Sequence, residues 1–340
     1  MTRARQSPVV VKLGGDALAS PGRIAAEARR LASLAVGEPV VAVVSARRGV
    51  TDHLLSLVEG VRLEVGGHGR PHAEAERTVA AGEVVTASLL ALALNDLGVP
   101  ALSLDAREAG VVGTGQPGSG RISTVVPRRV ERLLARGVLP VVTGFQAWRR
   151  GRVATLGRGG TDTSAVALGV ALQASRGVFV KDTEGLRTGD PKLVPDSRPI
   201  RVAPHDFLTA LSEAGARVLH PEAALLAERH GLMLEFCTIH RDGPLSTVRR
   251  GADAARLRAI ATSSGDNGTA RVTPVAGDRG ELAKAEDRLA DALRQRGIDA
   301  DRAGGSFVVA AAVAGDATRA LHETFVGAQP GRAEGARWAS

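Results

Sequence analysis

Short runs of aliphatic and β-branched residues alternate along this chain with longer stretches whose apolar positions recur every three to four residues. PVVVKLGG (8–15) is almost continuously apolar and ends in two glycines, which predicts a strand buried on both faces. Helical spacing follows over 22–35, then a second buried strand, PVVAVVSA (39–46). Further helices are predicted over 72–97 and 125–136, with strands at 100–104, 139–145 and 177–182. Between Phe145 and Thr155, QAWRRGRVA sets a glycine turn between two short strand-like runs, a hairpin insertion. Helices near 206–215 and 221–230 lead into a strand at LMLEFCTI (232–239). This alternation predicts an α/β fold, a three-layer αβα unit over 1–250 around a mostly parallel sheet.

The pattern changes after RDGPLSTVRRGADA (241–254). The remaining chain reads strand 270–276, helix 281–296, strand 298–304, strand 306–315 and helix 317–325, a small C-terminal α+β module of β-α-β-β-α order over 257–327. Residues 328–340 are polar and glycine-rich and are expected to be a disordered tail.

Composition narrows the function. A chain of 340 residues with 44% hydrophobic content builds ordinary globular cores. The formal charge of +8 suits anionic partners, but only 2% of residues are aromatic and none is Tyr, so a nucleic-acid partner is not expected. A phosphate-bearing small molecule fits better. The single Cys237 excludes an internal disulfide framework and a cysteine-based zinc site, and points to the cytoplasm. The basic start MTRARQSP precedes an apolar run too short for a signal segment or a membrane span, so no membrane partner is expected.

Three stretches carry candidate chemistry, because open α/β sheets bind ligands beyond the carboxyl ends of their strands. The first is Lys12-Leu13-Gly14-Gly15, where bare backbone can approach a phosphate and a lysine supplies charge. It matches neither the Walker A spacing nor the dinucleotide fingerprint, and glycines after a strand are also simply turn formers. The second is TLGRGGTDTSA (155–165), in which Thr161 or Asp162 caps a helix and Arg158 sits among three glycines, placed to grip a carboxylate or phosphate. The third is KDTEGLRTGDPKLVP (181–195), which is either a plain surface loop or, through Asp182, Asp190 and Lys192, the side of a nucleotide and its metal.

Taken in order, VVVKLGG, VVSARRGVTDHLLSLVEG, AAGEVVTASLLALALNDLGVPA, VVTGFQ, TLGRGGTDTSAVALG, GLRTGDPKLVP and GARVLHPEAALLA resemble the motif series of the aspartokinase family of amino-acid kinases, over about 8–250. The resemblance implies ATP-dependent phosphorylation of the side-chain carboxylate of L-aspartate, with Mg²⁺. It implies that Lys12 stabilises the moving phosphoryl group and that Asp162 orients the lysine and substrate. Thr51, Glu83, Phe145, Arg158 and Thr161 would bind aspartate, Glu83 through its ammonium and Arg158 through a carboxylate. Gly14, Gly15, Asp182, Arg187, Asp190, Lys192 and Arg217 would bind ATP. A homo-oligomer, a dimer, is expected, and His220 is given no catalytic role.

The sequence also departs from that series. Asp16-Ala17 stands where the family has Thr-Ser, which sets a carboxylate beside the phosphates. Arg47 and Arg48 replace small residues near Thr51, while Lys181 and Arg187 replace Thr and Tyr. The C-terminal part has room for one ACT-like module where common aspartokinases carry two, so weak feedback control is expected. These departures leave two alternatives: a kinase of the same fold acting on a different amino-acid or acidic acceptor, and a non-catalytic nucleotide-binding regulatory homologue.

Overall fold

The computed structural model describes residues 6–61, 73–116, 118–182 and 185–327. The expected tail at 328–340 lies outside them. The described chain divides into two compact units. The first runs to Leu186 and adds Arg201–Thr209 and Arg217–Ala252; the second comprises Arg187–Ile200, Ala210–Ala216 and the chain from Asp253.

In chain order the elements begin β1 (Val9–Leu13), α1 (Pro21–Ala35), β2 (Val40–Val44), α2 (Val50–Gly60), α3 (Ala73–Asp96) and β3 (Ala101–Leu104). Next come β4 (Val111–Thr114), β5 (Arg121–Val125), α4 (Arg128–Leu134), β6 (Leu139–Thr143), β7 (Gln146–Arg149) and β8 (Arg152–Thr155). Then follow α5 (Gly160–Ala171), β9 (Arg176–Lys181), β10 (Val202–Ala203), α6 (His205–Glu213), α7 (Pro221–His230), β11 (Leu234–Thr238) and β12 (Arg241–Val248). The last part holds β13 (Arg258–Ser264), β14 (Thr269–Ala276), α8 (Arg279–Gln295), β15 (Asp301–Ala303), β16 (Ser306–Ala310) and α9 (Ala314–Phe325).

The first unit is built on an eight-stranded sheet in the order β10-β12-β11-β9-β1-β2-β6-β3. β1 lies at its middle, parallel to both β2 and β9, and every one of its residues is buried. A strand covered on both faces needs apolar side chains all along, which is why VVVKL carries only one polar residue. The exception, Lys12, is the first sign of a site. α1 starts cleanly because Ser20 accepts from the Arg23 N–H and Pro21 occupies the first helical turn; its Ile24, Ala28 and Leu31 then face the sheet core. α5 is buried from Gly160 to Gly169, as its lack of a polar face requires.

Three features were not expected. RISTV (121–125) forms β5 rather than the start of a helix, and α4 begins only after Pro127. β4 and β5 join the β7–β8 hairpin in a separate sheet, β5-β4-β7-β8, so the insertion is larger than one hairpin. β12 runs antiparallel to β11 and follows it directly. α3 alone among the described helices is long and apolar enough to cross a membrane, but half of that window is buried and its buried face carries Glu76 and Glu83. It is a core helix.

The second unit has an antiparallel sheet, β13-β14-β16-β15, with one strand more than expected at its start. Leu289 and Leu293 of α8 and Leu321 and Phe325 of α9 pack with Val272, Phe307 and Val309 of the sheet. Segment 187–200 belongs here: the Ile260 N–H donates to the Thr188 carbonyl at 2.9 Å, and Thr188 Oγ1 meets His322 Nε2 at 2.9 Å.

Candidate active site

Lys12 near the end of β1 and Asp162 in the first turn of α5 are both nearly buried, and Lys12 Nζ lies 2.8 Å from Asp162 Oδ1. At that distance the pair is a close, charge-assisted contact. Lys181, at the end of neighbouring β9, places its Nζ 3.8 Å from Asp162 Oδ2 and also donates to the Val218 carbonyl. Burial is the largest influence on Asp162 and pushes its pKa up, but Lys12, Lys181 and the His220 N–H outweigh it and hold the carboxyl at about 2. Burial depresses Lys181, with Asp162 acting against it. Lys12 and Lys181 thus both approach one carboxylate at the carboxyl ends of β1 and β9, with Asp182 also acting on Lys181.

Glycines let the surrounding loops close on this point. A side chain at Gly15 would put its Cβ 2.8 Å from the Ala46 carbonyl oxygen, and the Arg48 N–H donates to the Gly15 carbonyl at 3.2 Å. Gly14 is next to it, with Lys12 Nζ 3.5 Å from where a Cβ would stand. Two of the sequence's departures from the aspartokinase motifs are partners: Asp16 Oδ1 pairs with Arg48 Nη1 at 2.9 Å. Asp16 is therefore matched by a cation rather than standing as a bare anion.

Glu83, on the buried face of α3, accepts from the Ala46 N–H through Oε1 at 2.9 Å, while its buried Oε2 has no aligned partner. Burial pushes its pKa up to about 7, against the opposing effect of the Ala46 N–H and the Gln146 amide. Thr161 Oγ1 accepts from Ser45 Oγ at 3.0 Å. Phe145 has a φ of 64° and packs on Gly160, whose Cβ, if present, would stand 3.1 Å from the ring. Arg158 is exposed between Gly157 and Gly159, both at positive φ, and has no hydrogen bond or ion pair among the described residues. Gly159 has a further reason to be glycine, since a Cβ there would fall 2.2 Å from the His220 ring. His220 is thus a packing partner of the turn.

Thr51 stands half-buried in the first turn of α2, while Asp182 and Arg217 are exposed in the loops after β9 and before α7. Arg187, Asp190 and Lys192 lie in the segment that belongs to the second unit. There Arg187 Nε donates to Ser197 Oγ at 3.0 Å and Asp190 accepts from the Lys192 N–H at 2.9 Å. Sequence reasoning misses Lys181 as a site residue; its signal is a basic residue closing an otherwise apolar strand. Among the described residues no group of three His, Cys, Asp or Glu is gathered to hold a metal.

An open α/β sheet with buried charges and close-packed glycines beyond its central strands defines an anion-handling protein of the doubly wound type. The amino acid kinase family profile matches residues 7–236, and the chain belongs to that family. It is 35% identical over 243 residues to an aspartokinase of Thermus thermophilus, covering 71% of this chain and 59% of that protein. To an aspartokinase of Geobacillus stearothermophilus it is 32% identical over 295 residues, covering 86% and 71%. The chain therefore spans little more than half the length of the first of these curated relatives. In fold it is similar to E. coli aspartokinase III in complex with aspartate and ADP, with a TM-score of 0.80 at 19% identity over 94% of this chain and 99% of that one.

Proposed function

We propose that this chain transfers the γ-phosphoryl group of ATP to the side-chain carboxylate of L-aspartate, giving 4-phospho-L-aspartate and ADP. The buried Lys12–Asp162–Lys181 cluster is the observation that carries the reading. A carboxylate with an ordinary pKa near ~4 is already ionised at neutral pH, so the nucleophile needs no general base. Its oxygen bonds to the γ-phosphorus, the bond to the bridging β,γ oxygen breaks, and ADP leaves with that electron pair. No proton moves, so catalysis reduces to positioning and charge neutralisation.

Lys12 serves the moving phosphoryl group, Asp162 fixes its ammonium, and Lys181 adds a second, partly buried lysine beside them. Gly14 and Gly15 present backbone to the phosphates. Arg158, with no partner of its own among the described residues, takes the α-carboxylate; Glu83 takes the ammonium; Thr51, Thr161 and Phe145 complete the aspartate side. Asp182 and Arg217 of the first unit are assigned to ATP by their motif positions. Mg²⁺ would accompany ATP as the counter-ion of the triphosphate oxygens. When bound it neutralises charge on those oxygens.

The Asp16–Arg48 pair weakens the case for a different acceptor, because Arg48 is already matched. We read the second unit as a single ACT-like module of a weakly feedback-regulated cytoplasmic homodimer; complete inhibition by lysine or threonine would refute the weak regulation. The central test is hydroxamate formation from L-aspartate, ATP and Mg²⁺ with hydroxylamine as trap. The native chain yields product and Lys12→Ala lowers it about 10³-fold. A native chain that binds ATP but makes no hydroxamate sinks the reading.

A further inference from the structure

The buried face of α3 carries a second carboxylate that none of the assigned roles uses. Glu76 is 7% exposed and stands two turns ahead of Glu83 on the same face of the helix. Its Oε2 accepts two hydrogen bonds from one residue, Thr155: the main-chain N–H at 2.5 Å and the hydroxyl at 2.9 Å. The Thr155 carbonyl in turn accepts from the Gly120 N–H at 3.0 Å. The polar groups of Thr155 are therefore committed to fixed partners. A carboxylate taken out of water is retained where such charge-assisted bonds hold something in place.

What is held is the open end of the β7–β8 hairpin. Gln146 and Thr155 are opposite one another across the two strands. Gln146 donates through Nε2 to the Ala80 carbonyl at 2.7 Å, four residues along α3 from Glu76. The hairpin is thus pinned to one helix at two points a single turn apart. Immediately beyond, the Leu156 N–H donates to the Phe145 carbonyl at 2.9 Å, and the chain enters the turn 157–160, where Gly157 and Gly159 are both at positive φ. Apart from Arg158 the turn has no side chains with which to fix its own course, so its aim depends on where it begins as well as on the packing of Gly159 against His220. Arg158, Thr161 and Asp162 all follow from that point.

We infer that Glu76 is a positioning residue: through Thr155 it fixes the origin of the glycine-rich turn and so aims Arg158 and Thr161 at the acceptor. Glu76 itself touches neither substrate. The inference rests on the reading that Arg158 and Thr161 bind aspartate, and the test separates the two.

Hydrogen exchange at the Thr155 amide, together with KM for aspartate and for ATP, is measured on the full chain for the native protein, Glu76→Ala, Glu76→Gln and Thr155→Val. Glu76→Ala speeds exchange at Thr155 and raises KM for aspartate, each about tenfold, with KM for ATP within about twofold. Glu76→Gln restores most of both, because its amide oxygen still accepts the N–H. If Glu76→Ala does not fold, Thr155→Val carries the test with a rise of about threefold in aspartate KM. Unchanged exchange at Thr155 in a folded Glu76→Ala protein overturns the inference, as does an equal loss for aspartate and ATP in both Glu76 variants. If the native chain makes no hydroxamate, the substrate reading fails, and the exchange measurement still decides whether Glu76 fixes the turn.

Discussion

The two units bury polar groups in different ways. In the second, the buried polar side chains among the described residues are hydroxyls and one imidazole, such as Thr188, Ser306, Thr318 and His322, with no Lys, Arg, Asp or Glu. In the first, Lys12, Glu27, Glu76, Glu83 and Asp162 are all buried. Glu27 pairs with Arg30 within α1, and the other four lie along β1, α3 and the start of α5, where the site loops meet. Buried ions cost desolvation that a small core avoids. In the first unit, buried charge other than the Glu27–Arg30 pair is gathered at the candidate site and on the α3 face beside it.

Asp162→Asn would break that contrast most severely. It removes the carboxylate that lies between Lys12 and Lys181, at an expected cost of about 3 to 5 kcal/mol in urea unfolding, and lowers hydroxamate formation at least ~10³-fold. Unaltered stability would mean that these charges are solvated and the contrast is only apparent. The sign with pH comes from the depressed carboxyl: its contribution is present above the ordinary value of 3.8 and is lost as pH falls towards about 2. Next in size is Phe325→Ala in the second unit, a fully buried ring over which Arg258 lies at 5.5 Å. It should cost about 3 to 5 kcal/mol and leave KM for aspartate unchanged, because no ligand-facing charge depends on it.

The smallest effect sharpens the comparison instead. Glu83 must be ionised to receive an ammonium, and its carboxyl is held at about 7 in the free protein. KM for aspartate should be level above that pH and rise about tenfold per unit below it, and Glu83→Gln should flatten the profile at a raised KM. Stability runs the opposite way. Between 4.5 and about 7 the folded chain keeps a proton that the unfolded chain releases, so the fold loses stability as pH rises through that window. A flat KM profile in the native protein would remove Glu83 from the ammonium role.

Much of the first unit could be read locally. VVVKLGG and TLGRGGTDTSA announce themselves because a lone lysine in a buried strand and an arginine among glycines are poor structural choices. Glu76 could not be read this way: in the run Glu74, Glu76, Arg77 it resembles an ordinary solvated helix charge, and only packing shows that it reaches Thr155. Lys181 was visible as a departure but not as a partner of Asp162, since their meeting depends on β9 lying next to β1. Nor does the spacing of residues 187–200 reveal that they belong with the second unit, because the bonds from Ile260 and His322 that hold Thr188 span long stretches of sequence.

The pairing of Asp16 with Arg48 also sets an order on change. A chain carrying the arginine alone has a spare cation near an anionic ligand, which is harmless or helpful. With the aspartate alone, it has an unmatched carboxylate next to Gly14 and Gly15. On charge alone, the form that keeps Arg48 and lacks Asp16 is the milder intermediate between having the pair and lacking it.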